Sequence, residues 1–258
     1  MTAAPRNRLA LSCTLAVVGA AMTAAAADPH KGVYELRVYT CDPGRLPALH
    51  DRFRDHTVDL FAKHGMTNVA YFTPVEGPTA ENTLVYFLWH QGKDAAAKSF
   101  GDFRADPEWI RVRTESEKDA RILSDPVDST FVRLTDYSQP LPAAEDDRIY
   151  ELRTYTTPDG KLEALHARFR DHTRKLFEKH GMENVAYFVP TDEPKSANTL
   201  IYLLAHKSRD AARASWKAFI DDPEWKAARD ASEVNGKLVQ KVESVFLKPA
   251  DFSPEPKA

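Results

Sequence analysis

The chain has 258 residues, a formal net charge of −3 and 43% hydrophobic residues, a length and composition that fit a globular protein of one or two domains. No stripe of Lys and Arg is present, so nucleic acid is not expected as a partner. The chain has two cysteines, Cys13 and Cys41. If Cys13 is removed with a cleaved N-terminal segment, no intrachain disulfide can form, and the fold must be stabilised by packed cores.

The N-terminal segment, residues 1–27, has the pattern of a signal peptide. Arg6 and Arg8 precede an uncharged apolar run over residues 9–22, and four alanines follow at 24–27. A charged start, a short apolar middle and a small-residue exit are typical of secretory signal peptides. The run is short for a membrane span, so we expect an exported protein, periplasmic or secreted, with no membrane span in the mature chain. A mitochondrial presequence is the alternative, since residues 1–27 contain no acidic side chain.

Hydrophobic spacing after residue 32 predicts an α+β unit. Alternating β-branched and aromatic residues indicate strands, and apolar residues three and four apart indicate a helix. Glycine suits the left-handed end of a helix, while Asp followed by Pro suits a helix start. The predicted elements are a strand over 33–40, a helix from Leu46 to Gly65, strands over 69–73 and 84–90, a helix after Asp106 and a strand over about 127–134. This order, β-α-β-β-α-β with one additional helix, is the ferredoxin-like arrangement.

The same pattern occurs twice along the chain. Residues 50–74 return as 166–190 with 19 of 25 identities, whereas residues 91–105 and 207–221 share only 5 of 15. Two repeats cannot make a solenoid, so the chain is a duplicated domain. The predicted boundaries are a first domain over 33–138, a linker rich in Pro and acidic residues over 139–147, and a second domain over 148–253.

Three short motifs resemble those of the NIPSNAP family. They are Tyr34-Glu35-Leu36-Arg37-x-Tyr39, Lys63-His64-Gly65-Met66 and Asp106-Pro107-Glu108-Trp109, and all three recur in the second half. The resemblance implies tandem ferredoxin-like βαββαβ units that close into a dimeric-type α/β barrel, here as an intramolecular pseudo-dimer. It implies no agreed activity, although the wider superfamily includes cofactor-free monooxygenases and haem-binding or haem-degrading proteins.

The first strand of each unit separates apolar from polar side chains, because successive residues alternate between the faces of a sheet. We expect Tyr34, Leu36 and Val38 to meet the helices, and the polar face to look into the barrel. Charges are costly to bury unpaired, so the polar row either lines a ligand cavity or forms structural ion pairs. The residues expected inside the barrel are Glu35, Arg37, Tyr39, Glu151, Arg153 and Tyr155.

Histidine gives a second signal, since eight of the nine form four matched pairs between the repeats. A helical projection places His56, the counterpart of His172, on the apolar flank of the first helix. For each histidine the alternative is a structural role in which the side chain is hydrogen-bonded. The spacing of the histidines is not that of a helical zinc site, so no metal site is predicted. The expected ligand-binding residues, which would border one cavity per unit between the first helix and the sheet, are Arg37, Tyr39, His56, Arg153, Tyr155 and His172.

We therefore expect a binding or interaction module whose partner is a small hydrophobic or planar ligand, or another protein. Arg37 would hold an anionic group, Tyr39 would stack or donate a hydrogen bond, and His56 would carry a proton or ligate haem. The alternative is a cofactor-independent or haem-related monooxygenase-type enzyme. No cofactor is predicted beyond that haem alternative, no catalytic residue can be named, and a further homo-oligomer stays open. If no ligand binds, Arg37→Met is expected to leave folding intact or to improve it.

Overall fold

The computed structural model of the chain describes Met1, residues 28–124 and residues 126–255. The expected signal peptide beyond Met1, including Cys13, lies outside the described residues. In the part of the chain that is described, none of the helices is both long enough and apolar enough to cross a membrane.

The first unit follows the predicted order. Its elements are β1 (Val33–Thr40), α1 (Leu46–Arg52), a π-helical turn (Phe53–Thr57), α2 (Val58–Lys63), β2 (Thr67–Pro74), β3 (Thr83–His90), α3 (Lys93–Ala105), α4 (Pro107–Ser116) and β4 (Asp128–Leu134). Gly65 follows α2 with a φ of +76°, in the left-handed region that the sequence predicts there. Asp106 Oδ1 accepts a hydrogen bond from the Glu108 N–H at 2.8 Å, which caps α4.

The second unit repeats the first, with one additional short helix. Its elements are β5 (Ile149–Thr156), α5 (Leu162–Arg168), a π-helical turn (Phe169–Thr173), α6 (Arg174–Lys179), β6 (Glu183–Pro190), α7 (Lys195–Asn198), β7 (Thr199–His206), α8 (Arg209–Asp221), α9 (Pro223–Ser232) and β8 (Lys241–Pro249).

All of these strands belong to one closed antiparallel barrel in the order β1-β3-β2-β8-β5-β7-β6-β4, with β4 again beside β1. Each unit supplies four neighbouring strands. The units meet where β2 pairs with β8 and where β4 pairs with β6, over three residue pairs at each seam. The predicted α+β barrel is therefore confirmed, and within one chain its two units close on each other.

Apolar side chains from both units fill the interior of the barrel. Tyr34 and Leu36 of β1 are buried in one cluster with Tyr150 and Leu152 of β5. The expected assignment of the two strand faces is therefore wrong, because Glu35, Arg37, Tyr39, Glu151, Arg153 and Tyr155 point outward to the helices. The physical reason is that the interior is enclosed on every side by sheet, so that unpaired charges there would lose their hydration without compensation.

The last strand of each unit continues into the other unit. Tyr137, after β4, packs in the helix-facing core of the second unit, and Phe252, after β8, packs against that of the first. Bidentate ion pairs accompany this exchange, with N···O distances of 2.8–3.1 Å for Arg54–Asp251 and 2.9 Å for Arg170–Asp136. The segment Asp136-Tyr137-Ser138 and its repeat, Asp251-Phe252-Ser253, thus join the two units.

A π-helical turn interrupts the first helix of each unit. In the first unit the Val58 N–H donates to the Phe53 carbonyl, five residues back, and Thr57 Oγ1 donates to the Arg52 carbonyl at 3.0 Å. The second unit makes the same side-chain bond from Thr173 at 3.1 Å. A π turn takes more residues per revolution than an α turn, so it shifts which side chains face the sheet, and such turns are frequent at functional sites.

The segment over residues 139–147 packs on the barrel. Leu141 and Ala144 are buried in the interior cluster. The Glu145 N–H donates to Tyr150 Oη at 2.7 Å, which attaches the segment to β5. This stretch therefore contributes to the core as well as joining the units.

Candidate functional site

A buried polar network lies on the outer face of β1. Glu35 has only 2% of its surface exposed. Its Oε1 accepts from Ser129 Oγ at 2.5 Å and forms an ion pair with Arg37 Nη1, while its Oε2 lies 3.0 Å from His90 Nε2. The guanidinium is also held by Tyr86, whose Oη accepts from Arg37 Nε at 2.9 Å. These contacts fix the orientation of Arg37 beneath the helices.

The second unit has an equivalent network, in which Glu151 is bonded to Arg153, His206 and Ser244, and the carboxylates of both networks are held ionised. Burial by itself raises the pKa of Glu35, but hydrogen bonds from His90, Arg37 and Ser129, with the Arg37 charge, outweigh burial and keep that pKa below its ordinary value. In the second unit, burial acts in the same direction on Glu151, and its donors outweigh it to lower the pKa to about 2. Each network therefore pairs a carboxylate with a permanently charged arginine.

The first cavity, of about 350 Å³, lies between the outer face of β1 and the helices of the first unit. Its walls are largely aromatic, and among the described residues five arginines and one acidic residue line it. The aromatic lining comprises Tyr39, Phe53, Phe61, Phe100, Phe103 and Trp109. The charged lining comprises Arg37, Arg52, Arg104, Arg113, Arg121 and Glu117. Aromatic walls with a few convergent polar groups are characteristic of small-molecule sites.

Arginines outnumber carboxylates among the described lining residues of this cavity, although Arg37 pairs with Glu35 and Arg121 lies 3.8 Å from Asp42. Glu117 lies 2.9 Å from Arg52 and 3.7 Å from Arg113, so one carboxylate serves two guanidinium groups. Arg104 is exposed and makes no ion pair within the described residues. Among the described lining residues, Arg104 is thus an arginine whose charge is not offset by a neighbouring carboxylate.

The second cavity, of about 200 Å³, occupies the corresponding place in the second unit. Its charged lining consists of Arg168, Arg229 and Glu233, and each arginine has a carboxylate partner: Glu233 lies 2.9 Å from Arg168, and Asp230, outside the lining, lies 2.8 Å from Arg229. The volume also falls below the 300–1,000 Å³ that is usual for ligand pockets, whereas the first cavity lies within that range. The two units thus share a layout and differ in capacity and charge.

The strand residues expected at the site are divided between the two cavities. Arg37 and Tyr39 both line the first cavity, with Arg37 Nη2 donating to Tyr39 Oη at 3.3 Å. Tyr155 lines the second cavity, but Arg153 is not part of its lining. Arg153 Nη1 lies 2.5 Å from Glu151 Oε1, and the equivalent contact between Arg37 and Glu35 exists in the first unit, so this ion pair is common to both units.

The histidines expected beside them lie elsewhere. His56 borders a shallow groove between α1 and α4, and His172 borders a separate depression on the outer side of its helix. The expectation that they border the cavities between the first helix and the sheet is therefore wrong. The cause is the π-helical turn, since Phe53 and Thr57 take the positions facing the cavity and His56 rotates to the flank.

Other lining residues were missed by the sequence analysis. Trp109 belongs to a recognised motif, and Arg52 lies in the strongly matched stretch, so repetition was a usable signal for both. Phe100 and Arg104 lie in the poorly matched stretch, where the second unit carries Trp216 and Ile220. Within residues 28–124 and 126–255, no group of three or more His, Cys, Asp or Glu side chains is arranged to hold a metal ion.

Comparison with known proteins connects this architecture to a family. A family profile described as NIPSNAP matches residues 34–139 and 150–254. A comparison with curated protein sequences found no match. Among solved structures, a NIPSNAP family protein of unknown function from Agrobacterium tumefaciens is 26% identical, with a TM-score of 0.37 over 43% of this chain and 96% of its own.

Longer structural matches come from proteins provisionally named as monooxygenases. The one from Fusobacterium nucleatum has a TM-score of 0.54 at 8% identity and covers 88% of this chain and 96% of its own. The one from Lactobacillus acidophilus has a TM-score of 0.54 at 11% identity and covers 85% and 94%, respectively. At such low identity these matches show the fold alone.

Proposed function

This chain belongs to the NIPSNAP family, and we propose that it is a binding module for a small planar molecule that carries an anionic group. The site is the cavity between the helices and the outer face of the barrel sheet. The observation that carries the proposal is the first cavity, whose lining combines six aromatic side chains with five arginines and, among the described residues, one glutamate.

Arg37 is the residue that would hold the anionic group. Three of its five N–H groups are directed to Glu35, Tyr86 and Tyr39, which leaves two for a ligand. Because the network fixes the guanidinium in advance, little side-chain entropy is lost when a ligand binds. A carboxylate or sulfonate at this position would make charge-assisted hydrogen bonds of roughly 1.5–3 kcal/mol each.

The aromatic walls would bind the planar part of the ligand. Phe53 contacts Tyr39 and Phe61 edge-on, with ring centroids 5.9 and 6.0 Å apart, and Phe103 lies 4.4 Å from Trp109. Rings arranged in this way offer faces and edges to another ring, which contributes about 0.5–1.5 kcal/mol per pair beyond area burial. The exposed Arg104 would then increase the rate at which anions arrive.

A paired-probe titration tests this proposal. Anilinonaphthalene sulfonate carries a planar naphthalene ring and an anionic sulfonate, and N-phenylnaphthylamine has the same rings without the sulfonate. We expect the sulfonate to bind saturably and more tightly than the neutral probe, with an affinity that falls as salt is added.

The chain offers a matched pair of variants for this titration. Arg104→Ile and Arg111→Ala each remove one exposed arginine and each copy the residue at the equivalent place in the second unit, Ile220 or Ala227. Only Arg104 lines the first cavity. We expect Arg104→Ile to weaken sulfonate binding roughly two- to fivefold and Arg111→Ala to leave it unchanged. Equal losses in both variants, or no saturable binding, would contradict the proposal.

Export is the second part of the proposed function. It is supported by the charged start, short apolar run and alanine exit within residues 1–27. We expect the mature protein to begin at or very near Asp28. The mass of the protein purified from its native host would measure this directly, and a soluble species that retains Met1 would count against export.

A further inference from the structure

Resting on that proposed binding function, we infer that only the first unit takes the ligand, because Trp216 closes the second unit by occupying the place that a ligand ring takes in the first. The two cavities are built from equivalent elements. They differ at the position where α3 or α8 faces the polar network, which is Phe100 in the first unit and Trp216 in the second.

Trp216 binds the network of its own unit as a planar ligand would. Its indole Nε1 donates to Glu151 Oε2 at 2.7 Å. Its ring stands over the Arg153 guanidinium, with 4.1 Å between the ring centroid and the guanidinium carbon. Stacking on an arginine and donating to a fixed carboxylate are two contacts expected of a bound aromatic molecule.

Phe100 leaves this position partly open in the first unit. Its ring lies 4.5 Å from the Arg37 guanidinium carbon, but a phenyl ring is smaller than an indole and has no N–H to donate. Phe100 and Arg37 both line the first cavity. Neither Trp216 nor Arg153 lines the second cavity, which ends before it reaches the network. Closure of this position by Trp216 accounts for part of the difference in volume between the first cavity, about 350 Å³, and the second, about 200 Å³.

The arginine of the second unit keeps its bonds to Glu151 and Tyr155 but, within the described residues, makes one hydrogen bond fewer than Arg37. Arg37 Nε donates to Tyr86 Oη at 2.9 Å in the first unit. The equivalent atoms of the second unit, Arg153 Nε and Tyr202 Oη, are both buried without a hydrogen-bond partner in the described part of the chain. Arg153 thus stacks on the Trp216 indole and does not donate a hydrogen bond from Nε to Tyr202.

The rim of the second cavity has changed in the same direction. Ile220 stands where the first unit has Arg104, and the remaining arginines are paired with acidic residues. An anion would therefore meet little unbalanced charge there. Loss of rim charge and closure by Trp216 are two separate features of the same unit, and both oppose binding.

Counting the sites per chain tests the inference. Isothermal titration of the wild-type protein with anilinonaphthalene sulfonate is expected to give one site. Phe100→Trp, which copies the second unit, is expected to remove that site. Trp216→Phe is expected to add a second, weaker site, and the double variant Trp216→Phe/Ile220→Arg is expected to bind more tightly at that site. Near-ultraviolet circular dichroism and thermal unfolding confirm that each variant is folded.

The outcomes separate this inference from the proposed function on which it rests. Two equivalent sites in the wild type, or a site that survives in folded Phe100→Trp, would overturn the inference and leave the proposed function standing. A second site that fails to appear in both folded Trp216 variants would also overturn it. Absence of saturable binding in the wild type and in every variant would overturn both.

Discussion

Replacing Arg37 with Met is expected to destabilise the fold strongly. After the substitution, the hydrogen-bond partners that remain for Glu35 among the described residues are Ser129 and His90, and Glu35 has only 2% of its surface exposed. Removing one partner of a buried ion pair typically costs 3–5 kcal/mol, because the other charge stays buried without compensation. At roughly 2–4 °C per kcal/mol for a protein of this size, the melting temperature should fall by about 10 °C. The contacts thus favour the opposite of the sequence-based expectation, since stabilisation requires replacing the whole pair.

The loss should depend on pH with a definite sign. In the wild type the pKa of Glu35 is lowered, because its donors outweigh burial, so its contribution is present above the unfolded pKa of about 4.3 and is lost as pH falls. In Arg37→Met the charge and hydrogen bond of the arginine no longer oppose the effect of burial, so the pKa of Glu35 should rise. A carboxyl group whose pKa is raised in the folded state makes the protein less stable as pH increases. The difference between the two proteins should therefore be smallest near pH 4 and largest near pH 7.

Urea unfolding followed by tryptophan fluorescence at about pH 4, 5.5 and 7 measures this difference. The second unit supplies the control, since Glu151 has an additional donor in Trp216 at 2.7 Å, so Arg153→Met should cost less than Arg37→Met. Glu35→Gln/Arg37→Met should recover most of the loss at neutral pH, because no charge is left unpaired. A loss that is independent of pH, or an increase in stability for Arg37→Met, would refute the reasoning.

Three further predictions concern stability. Arg54→Ala removes the bidentate pair with Asp251 and should cost about 0.2–1 kcal/mol at low salt and less at high salt, as measured by urea unfolding at both ionic strengths. Thr57→Val removes the hydrogen bond that serves a backbone carbonyl of the π-helical turn and should cost about 1–3 kcal/mol, whereas Thr114→Val on the exposed side of α4 should cost under about 0.5 kcal/mol. Glu151→Gln should abolish the part of acid destabilisation that develops as pH falls from about 4.3 towards 2, and a wild-type acid profile in that variant would contradict this assignment.

Local chemistry made the order of elements predictable. The first strand has the predicted bounds, Val33–Thr40, because alternation of side chains is strong there. Gly65 and Asp106 lie at the expected helix boundaries, since a left-handed φ and a capping oxygen are requirements of single residues. Features determined within a few residues of chain are the ones that a single sequence specifies best.

Alternation could not determine which strand face lies inside the barrel. It shows that Arg37 and Tyr39 share a face, but both faces of this sheet are covered, one by the opposite sheet and one by helices. Neither face is therefore marked by exposure to water, which is the usual signal. The position of His56 was unpredictable for another reason, because a constant angle of 100° per residue does not apply across the π-helical turn.

The barrel also explains why the two repeats have diverged unevenly. Closure requires both units, since β2 must meet β8 and β4 must meet β6, and Arg54 and Arg170 each reach an aspartate of the other unit. These arginines lie in the stretch with 19 of 25 identities, and a change at a shared seam affects both units at once. The cavities lie outside the barrel and each belongs to one unit, so a change at Trp216 alters one site without opening the barrel. Divergence in α3 and α8, with 5 of 15 identities over 91–105 and 207–221, is therefore the expected consequence of an architecture that shares its core and keeps its sites separate.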